Sequence, residues 1–167
     1  MSENTPVSTR DCHIGLIIGS STTEVNLVDE YGFHLLESPN FTVAPIRDYD
    51  IQEYPDSAEA EMDTRTTLKP FEYKLSLGYF GDEITANSAI QTFINSLFST
   101  EQDSDSTEVS DIMTALPLQV KNYWKGMKMT GYAKKWDGKT YSIQGEAALV
   151  AFDLTIYVND PRTFLPI

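Results

Sequence analysis

A strict alternation of apolar and polar residues runs through Leu68–Phe80, "LKPFEYKLSLGYF", and it constrains the fold more than any other stretch of the chain. One parity carries apolar residues, and these are Phe71, Tyr73, Leu75, Leu77 and Tyr79. The other parity carries Glu72, Lys74 and Ser76. Because successive side chains of a strand point to opposite faces, this period of two predicts a strand with one buried and one solvated face.

A different period follows Gly81. Apolar residues now recur at spacings of three and four, at Ala86, Ala89, Ile90, Phe93, Ile94 and Leu97. This pattern predicts an amphipathic helix of about 12–14 residues, whose apolar stripe must pack on a sheet or on a neighbour.

Most other segments are strand-like. We expect strands at Cys12–Ile18 and Glu24–Val28, and Asp137-Gly138 in "WDGK" predicts a hairpin turn. The parity of the apolar residues changes between Ala151 and Phe152, which predicts a β-bulge or a corner between sheets. The predicted fold class is therefore mostly β (α+β), an antiparallel β-sandwich or barrel with one amphipathic helix packed on it.

The length of 167 residues fits a single domain. Residues 1–11 are small and polar and are expected to form a flexible N-terminal arm, so the β-sandwich domain is predicted to cover residues 12–167. Residues 47–67 lack a sustained apolar period and are predicted to form an acidic loop or an extended hairpin arm. Residues 99–111 are predicted to form a second acidic loop that is exposed to solvent, because they are mostly acidic and hydroxyl residues.

The formal net charge of −13, from 25 Asp and Glu against 12 Lys and Arg, bears on the partners. Affinity for nucleic acids comes largely from cations that neutralise phosphates, so direct nucleic-acid binding is not expected, nor is binding to an anionic membrane. The first residues, "MSENTPVSTRDCH", lack the basic and apolar regions of a secretory signal, and we therefore expect a cytosolic origin.

The residues that usually carry chemistry are sparse. Cys12 is the only cysteine and His13 and His34 are the only histidines, so neither a disulfide nor a multi-cysteine metal site is expected. The acidic run "DSDSTEVSD" lacks the glycine and the bidentate glutamate of a calcium loop. The sequence therefore predicts no metal, no cofactor and no enzymatic activity. An enzyme would require a convergent pocket that the sequence does not reveal.

Four aromatic residues leave two interpretations open. Tyr123, Trp124, Tyr132 and Trp136 are of the kind that fills a sandwich core or a subunit interface, and they are also of the kind that lines a sugar-binding face. A monomeric carbohydrate- or peptide-binding β-sandwich module is the alternative function that follows from the second interpretation.

The order of these features resembles the N-terminal domain of phage distal tail proteins, which is related to the tail-tube fold. The strand "FEYKLSLGYF" is followed by the helix "NSAIQTFINSLF", an acidic loop, "LPLQV", the strand pair "YWKGMKMTGYAKKW" and the closing "FDLTIYVNDPRTFLP". Asp160-Pro161 holds the place of an Asp-Pro dipeptide that ends the last strand in that family. "EYPDSAEA" lacks the glycine that many members have in a turn of the arm.

The resemblance implies a structural role, as a subunit of a phage or prophage tail. The expected assembly is a ring of identical subunits, a hexamer by analogy, around a DNA-conducting lumen at the distal tail, the baseplate or the tube. Its partners are further copies of the chain and other tail proteins, and assembly takes place in the bacterial host cytoplasm before the protein becomes part of the virion tail. Twelve carboxylates are candidates for the interface or the lumen, and these are Asp48, Asp50, Glu53, Asp56, Glu59, Glu61, Asp63, Glu101, Asp103, Asp105, Glu108 and Asp111.

Overall fold

A computed structural model describes residues 14–37, 43–55, 58, 60–100, 112–142 and 148–167. The strands in this part of the chain are β1 (Ile14–Ile18), β2 (Val25–Asn26), β3 (His34–Glu37), β4 (Asp50–Glu53), β5 (Ala60–Asp63), β6 (Phe71–Gly81), β7 (Phe98–Thr100), β8 (Met113–Ala115), β9 (Leu118–Asn122), β10 (Met127–Ser142), β11 (Ala148–Val158) and β12 (Leu165–Pro166). The helices are α1 (Leu27–Tyr31) and α2 (Glu83–Ser96), with a 3₁₀ turn at Pro161–Thr163.

Eight strands form one antiparallel sheet in the order β2-β1-β9-β10-β11-β6-β3, with β12 paired to β10. The two remaining pairs, β4-β5 and β7-β8, are separate two-stranded sheets. Strand β10 belongs to both halves of the large sheet, because residues 127–131 pair with β9 and the part from Tyr132 onward pairs with β11. The sheet curls into a half-barrel, which confirms the predicted mostly-β antiparallel class.

Gly131 lies where β10 passes from one partner to the other. A Cβ atom at this position would lie 2.5 Å from the backbone oxygen of Tyr157, closer than side-chain carbons approach other atoms. The missing side chain therefore allows β10 and β11 to come together at the curl.

The core fills the concave side of the sheet, where α2 packs on β11 and β6. Phe33 contacts Phe93 of α2 and Phe152 of β11, with ring centroids 5.5 and 5.0 Å apart. Phe71 and Phe164 meet edge to face at 5.3 Å. Aromatic pairs of this geometry add stabilisation to the area that they bury.

The two strongest sequence patterns predicted their elements correctly. In β6, the residues Phe71, Tyr73, Leu75 and Leu77 are buried, as the alternation required. Helix α2 has 14 residues and begins after Asp82, whose carboxylate accepts a hydrogen bond of 3.1 Å from the backbone N–H of Thr85. A side chain that satisfies a free amide in the first turn fixes where a helix starts.

The strand predicted at Glu24–Val28 is wrong over its second half, because β2 ends at Asn26 and α1 follows. The side chain of Asn26 accepts hydrogen bonds from the N–H groups of Val28 and Asp29, at 3.0 and 3.4 Å. Gly32 ends the helix in the left-handed conformation, at φ 74°. An asparagine cap and a terminal glycine are the usual limits of a helix, and here they enclose only five residues.

The hairpin turn predicted at Asp137-Gly138 is also wrong. Strand β10 continues through both residues, which pair with Asp153 and Phe152 of β11 without a shift of register. The continuous ladder on β11 outweighs the local turn preference of the Asp-Gly dipeptide, since each residue gains backbone hydrogen bonds from its partner strand.

The irregularity predicted between Ala151 and Phe152 lies elsewhere. Strand β11 pairs with β6 in unbroken register from Ala148 to Val158. The shift of register is on β10, between Ala133 and Lys135. The apolar residues of β11 at odd positions lie on its outer face, so the apparent change of parity reflects a strand with apolar residues on both faces.

The loop predicted at 99–111 is wrong at its first two residues. Ser99 and Thr100 belong to β7, where they pair with Thr114 and Met113 of β8. Residues 101–111 lie outside the described part of the chain.

Candidate assembly surfaces

Strands β4 and β5 form a hairpin that we call the arm. Its base is held by an isolated bridge between Ile46 and Leu68 and by two backbone hydrogen bonds, from Arg47 N–H to the Thr67 oxygen at 2.8 Å and from Lys69 N–H to the Pro45 oxygen at 3.0 Å. The region predicted as a loop or an extended hairpin arm thus has the hairpin form. All described residues of β4 and β5 are solvent-exposed.

The two faces of the arm differ in chemistry. Asp50 lies opposite Asp63, and Gln52 lies opposite Glu61, so one face is acidic. The hydroxyl of Tyr54 donates to Glu61 at 3.1 Å on this face. The other face carries Ile51 opposite Met62 and Glu53 opposite Ala60. Ile51 and Met62 are 53% and 47% exposed, so the structure leaves an apolar pair in water.

Within the acidic face, one carboxylate has a strong partner. The guanidinium of Arg65 donates to both oxygens of Asp63, at 3.1 and 3.0 Å, and these hydrogen bonds hold the pKa of Asp63 below its ordinary value. The side chain of Asp50 has no hydrogen-bond or ion-pair partner in the described part of the chain. A depression of about 520 Å³ lies beside the arm, lined by Asp50, Gln52, Glu61 and Asp63 of the acidic face and by Met62 of the other face.

The structure places five of the twelve predicted interface or lumen carboxylates in or next to the arm, and all five are exposed. These are Asp48, Asp50, Glu53, Glu61 and Asp63. The other seven lie outside the described residues, and these are Asp56, Glu59, Glu101, Asp103, Asp105, Glu108 and Asp111. The role of the arm carboxylates at a lumen or at the contact with a neighbouring copy stays a prediction.

In the part of the chain that the structure describes, one edge of the large sheet has no strand beside it along part of its length. Strand β3 is the last strand and pairs with β6 only at Ser76, Leu77 and Gly78. Residues 72–75 of β6 pair with β11, and in the described part of the chain no strand lies on their other side. Open strand edges are sites where another chain can add a strand.

The convex, outer face of β6 and β11 carries a small polar network. Asp153 accepts a hydrogen bond of 2.8 Å from the hydroxyl of Ser76 and forms an ion pair of 3.2 Å with Lys74. Asp137 lies directly opposite Asp153. These residues and Leu36 border a depression of about 520 Å³ on the surface of the sheet.

The outer face of β9 and β10 carries lysines. Lys121 lies directly opposite Lys128. Glu24 pairs with Lys121 at 3.1 Å and also accepts a hydrogen bond of 2.6 Å from the hydroxyl of Tyr123. Sequence reasoning missed this lysine pair, because the polar alternation of each strand is readable but the register between two strands is not.

The four aromatic residues singled out in the sequence do not fill the core. Trp124, Tyr132 and Trp136 are all exposed by more than a third. Trp136 pairs with Leu154 on the concave side of the sheet and contacts Phe98, whereas Tyr132 pairs with Tyr157 on the convex side. A sugar-binding platform needs its aromatic rings on one face, and these two do not share one.

Within the described residues, no group of three or more His, Cys, Asp or Glu side chains is arranged to hold a metal ion. The same part of the chain contains no helix with the length and apolar character needed to cross a membrane.

Comparison with known proteins gives similarity at the level of the fold. No protein-family model matches the chain, and no curated protein matches its sequence. A matching solved structure is the crystal structure of SPP1 Dit, described as a paradigm of the hub adsorption apparatus in phages that infect Gram-positive bacteria. The TM-score is 0.51 at 16% identity, and the match covers 89% of this chain and 50% of SPP1 Dit, so the chain spans about half the length of that protein. The fold of this chain is therefore similar to that of a phage hub protein, in agreement with the resemblance to the phage distal tail fold.

Proposed function

We propose that the chain is a non-enzymatic structural subunit of a phage or prophage tail, forming a ring around the DNA channel at the distal end of the tail. The observation that carries this proposal is the fold similarity to SPP1 Dit over 89% of the chain. The order of strand, helix and closing strands in the sequence supports it independently, because that order resembles the order in phage distal tail proteins.

The surfaces described above suit an assembly of identical subunits. Among the described residues, the edge of β6 beyond its pairing with β3 has no partner strand, and a neighbour can add a strand there. The arm offers a second contact away from the sheet, since its strands are exposed on both faces. Two contacts on different sides of one subunit build a closed ring when the rotation between copies closes. We propose a hexamer that stacks on other tail proteins.

The acidic composition has a use in such a ring. A lumen lined by carboxylates repels phosphates, so DNA passes through without binding. The arm carboxylates Asp48, Asp50, Glu53, Glu61 and Asp63 supply negative charge on an exposed element, for the lumen or for the contact between copies. The ring is assembled in the bacterial host cytoplasm and works in the virion tail. The nearest alternative within the same structural class is a subunit of the tail tube.

The test is the absolute mass in solution, measured by multi-angle light scattering over wide ranges of protein and salt concentration. We expect a discrete closed oligomer, six-fold in mass. A variant in which residues 50–64 are replaced by a short Gly-Ser linker is the matched comparison. Because the described residues of this stretch contribute nothing to the core, the variant should remain folded and lose the oligomer.

A strictly monomeric protein under all conditions would contradict self-assembly. Saturable binding of a glycan or a peptide by that monomer would then favour the alternative function, a carbohydrate- or peptide-binding β-sandwich. An unfolded deletion variant would contradict the assignment of residues 50–64 to a separate arm.

A further inference from the structure

Apart from Asp137 and Asp153 on the convex face of β10 and β11, two cross-strand pairs among the described strands place like charges directly opposite each other. In the arm, Asp50 faces Asp63. In the large sheet, Lys121 faces Lys128. Like charges at directly opposed positions destabilise a pair of strands, so each pair gains from a counter-charge.

In each pair, one member has its counter-charge and the other does not. Arg65 binds Asp63, and Glu24 binds Lys121 at 3.1 Å. Asp50 and Lys128 have no ion-pair or hydrogen-bond partner for their side chains among the residues that the structure describes. In the arm, Asp50 therefore lacks a cationic partner. On the outer face of β9 and β10, Lys128 lacks an anionic partner.

The surroundings of Lys128 form a shallow seat. A depression of about 490 Å³ lies beside it, bordered by polar groups of Gln119, Thr130 and Thr163 and by the exposed side chain of Leu165. Arg162 is at the rim, where its guanidinium binds both oxygens of Asp160, at 2.9 and 2.8 Å. The seat is thus a mixed polar and apolar surface that carries an excess of one positive charge at Lys128.

The arm has the matching properties. Its acidic face presents Asp50 and Glu61 on an element that projects from the sheet, and an isolated two-stranded hairpin is only marginally stable in water. A partner that covers the acidic face with a complementary charge would stabilise it. Glu53 lies on the other face of the same strand and would not meet that partner.

We propose that the acidic face of the arm of one copy docks on the β9–β10 outer face of a second copy, with Asp50 and Glu61 of the first facing Lys128 of the second. The contact is head-to-tail, because the arm and the seat are different surfaces, and it repeats from copy to copy. This inference rests on the proposed function, for which it names the surface that receives the arm.

The test uses the full-length protein and charge reversal. Asp50→Lys and Lys128→Glu should each weaken self-association by about tenfold or more, because a like-charge contact replaces an attractive one. The double variant Asp50→Lys/Lys128→Glu restores opposite charges and should recover the association. Sedimentation velocity over a range of concentrations measures the effect, and circular dichroism with thermal unfolding verifies that each variant is folded.

Two matched controls make the same charge changes next to the proposed contact. Glu53→Lys lies on the same strand of the arm but on its opposite face, so in this arrangement Glu53 serves the lumen and not the contact between copies. Lys135→Glu lies on the same strand as Lys128, beyond the bulge and opposite Thr155. Both should associate like the unchanged protein.

The possible outcomes separate this inference from the proposed function. An oligomer that persists in both single variants, or that the double variant does not recover, overturns the docking of the arm on Lys128 and leaves the ring intact. A protein that is monomeric before any substitution overturns both. Loss in the single variants, recovery in the double variant and unchanged controls support the contact.

Discussion

The side-chain amide of Asn122 donates a hydrogen bond of 2.9 Å to the hydroxyl oxygen of Tyr73, and both side chains are fully buried. Asn122 ends β9 and Tyr73 lies in β6, so the bond crosses the core between strands that β10 and β11 separate in the sheet. The amide oxygen of Asn122 accepts a second hydrogen bond of 3.1 Å from the N–H of Lys125. The two walls of the half-barrel are thus linked by a buried polar group that is satisfied at both ends.

Tyr73→Phe should destabilise the protein by about 1–3 kcal/mol, because it leaves the buried amide hydrogens of Asn122 without an acceptor. Urea unfolding followed by circular dichroism measures the change. Tyr157→Phe removes the same hydroxyl from a side chain that is 39% exposed, and it should leave the free energy of unfolding nearly unchanged. Equal stabilities of the two variants would show that the buried hydrogen bond contributes nothing.

Alkaline pH should unfold the protein partly through the same tyrosine. Burial raises the pKa of Tyr73 above its ordinary value of 10.0, and the hydrogen bond from Asn122 offsets only part of this rise. The unfolded chain then releases the phenol proton at a lower pH than the folded protein does. The stability due to this group is therefore complete below pH 10 and is lost as the pH rises through the folded pKa.

The measurement is the free energy of unfolding between pH 9 and 12, for the unchanged protein and for Tyr73→Phe. We expect a steeper loss above about pH 10 in the unchanged protein, since the variant lacks the titrating group. Parallel curves would contradict a raised pKa for Tyr73.

The spacing of apolar residues was sufficient to predict β6 and α2. In each element the apolar residues recur at a constant spacing over several repeats. It failed for α1, whose five residues are too few to show a helical period and whose signals are the cap Asn26 and the terminal Gly32. It failed also at Asp137-Gly138, where a strong local turn preference is overridden by pairing with β11. In both places the deciding contacts are not periodic in the sequence.

The same distinction applies to the assembly surfaces. The acidic arm can be recognised in the sequence because its carboxylates are clustered within one segment. The pairing of Lys121 with Lys128 and of Asp50 with Asp63 depends on the register of two strands, which the composition of neither strand determines. The pairing of the described arm carboxylates across the two strands could therefore be assigned only from the structure.

Leu75→Asp should prevent folding, because Leu75 is completely buried in β6 and a carboxylate there would lose its hydration at a cost of several kcal/mol. Phe80→Asp introduces the same charge on the same strand at a side chain that is 57% exposed, and it should fold. Circular dichroism and the yield of soluble protein distinguish the two. A native-like spectrum for Leu75→Asp would contradict the assignment of the buried face.

Gly131→Ala should destabilise the protein by about 1–3 kcal/mol, a cost typical of forcing an extra carbon into a closely packed site. The added carbon would meet the backbone oxygen of Tyr157 at 2.5 Å, and a backbone atom can move away only if β10 and β11 separate at the curl of the sheet. Gly138→Ala is the matched control on the same strand, since its new carbon would meet its nearest neighbours at 3.9 and 4.0 Å, which is ordinary contact. Thermal unfolding of both variants measures the difference. Because Gly138 pairs inside a regular ladder, its alanine variant should be at least as stable as the unchanged protein, and equal losses at both positions would contradict a special role for Gly131 in the curl.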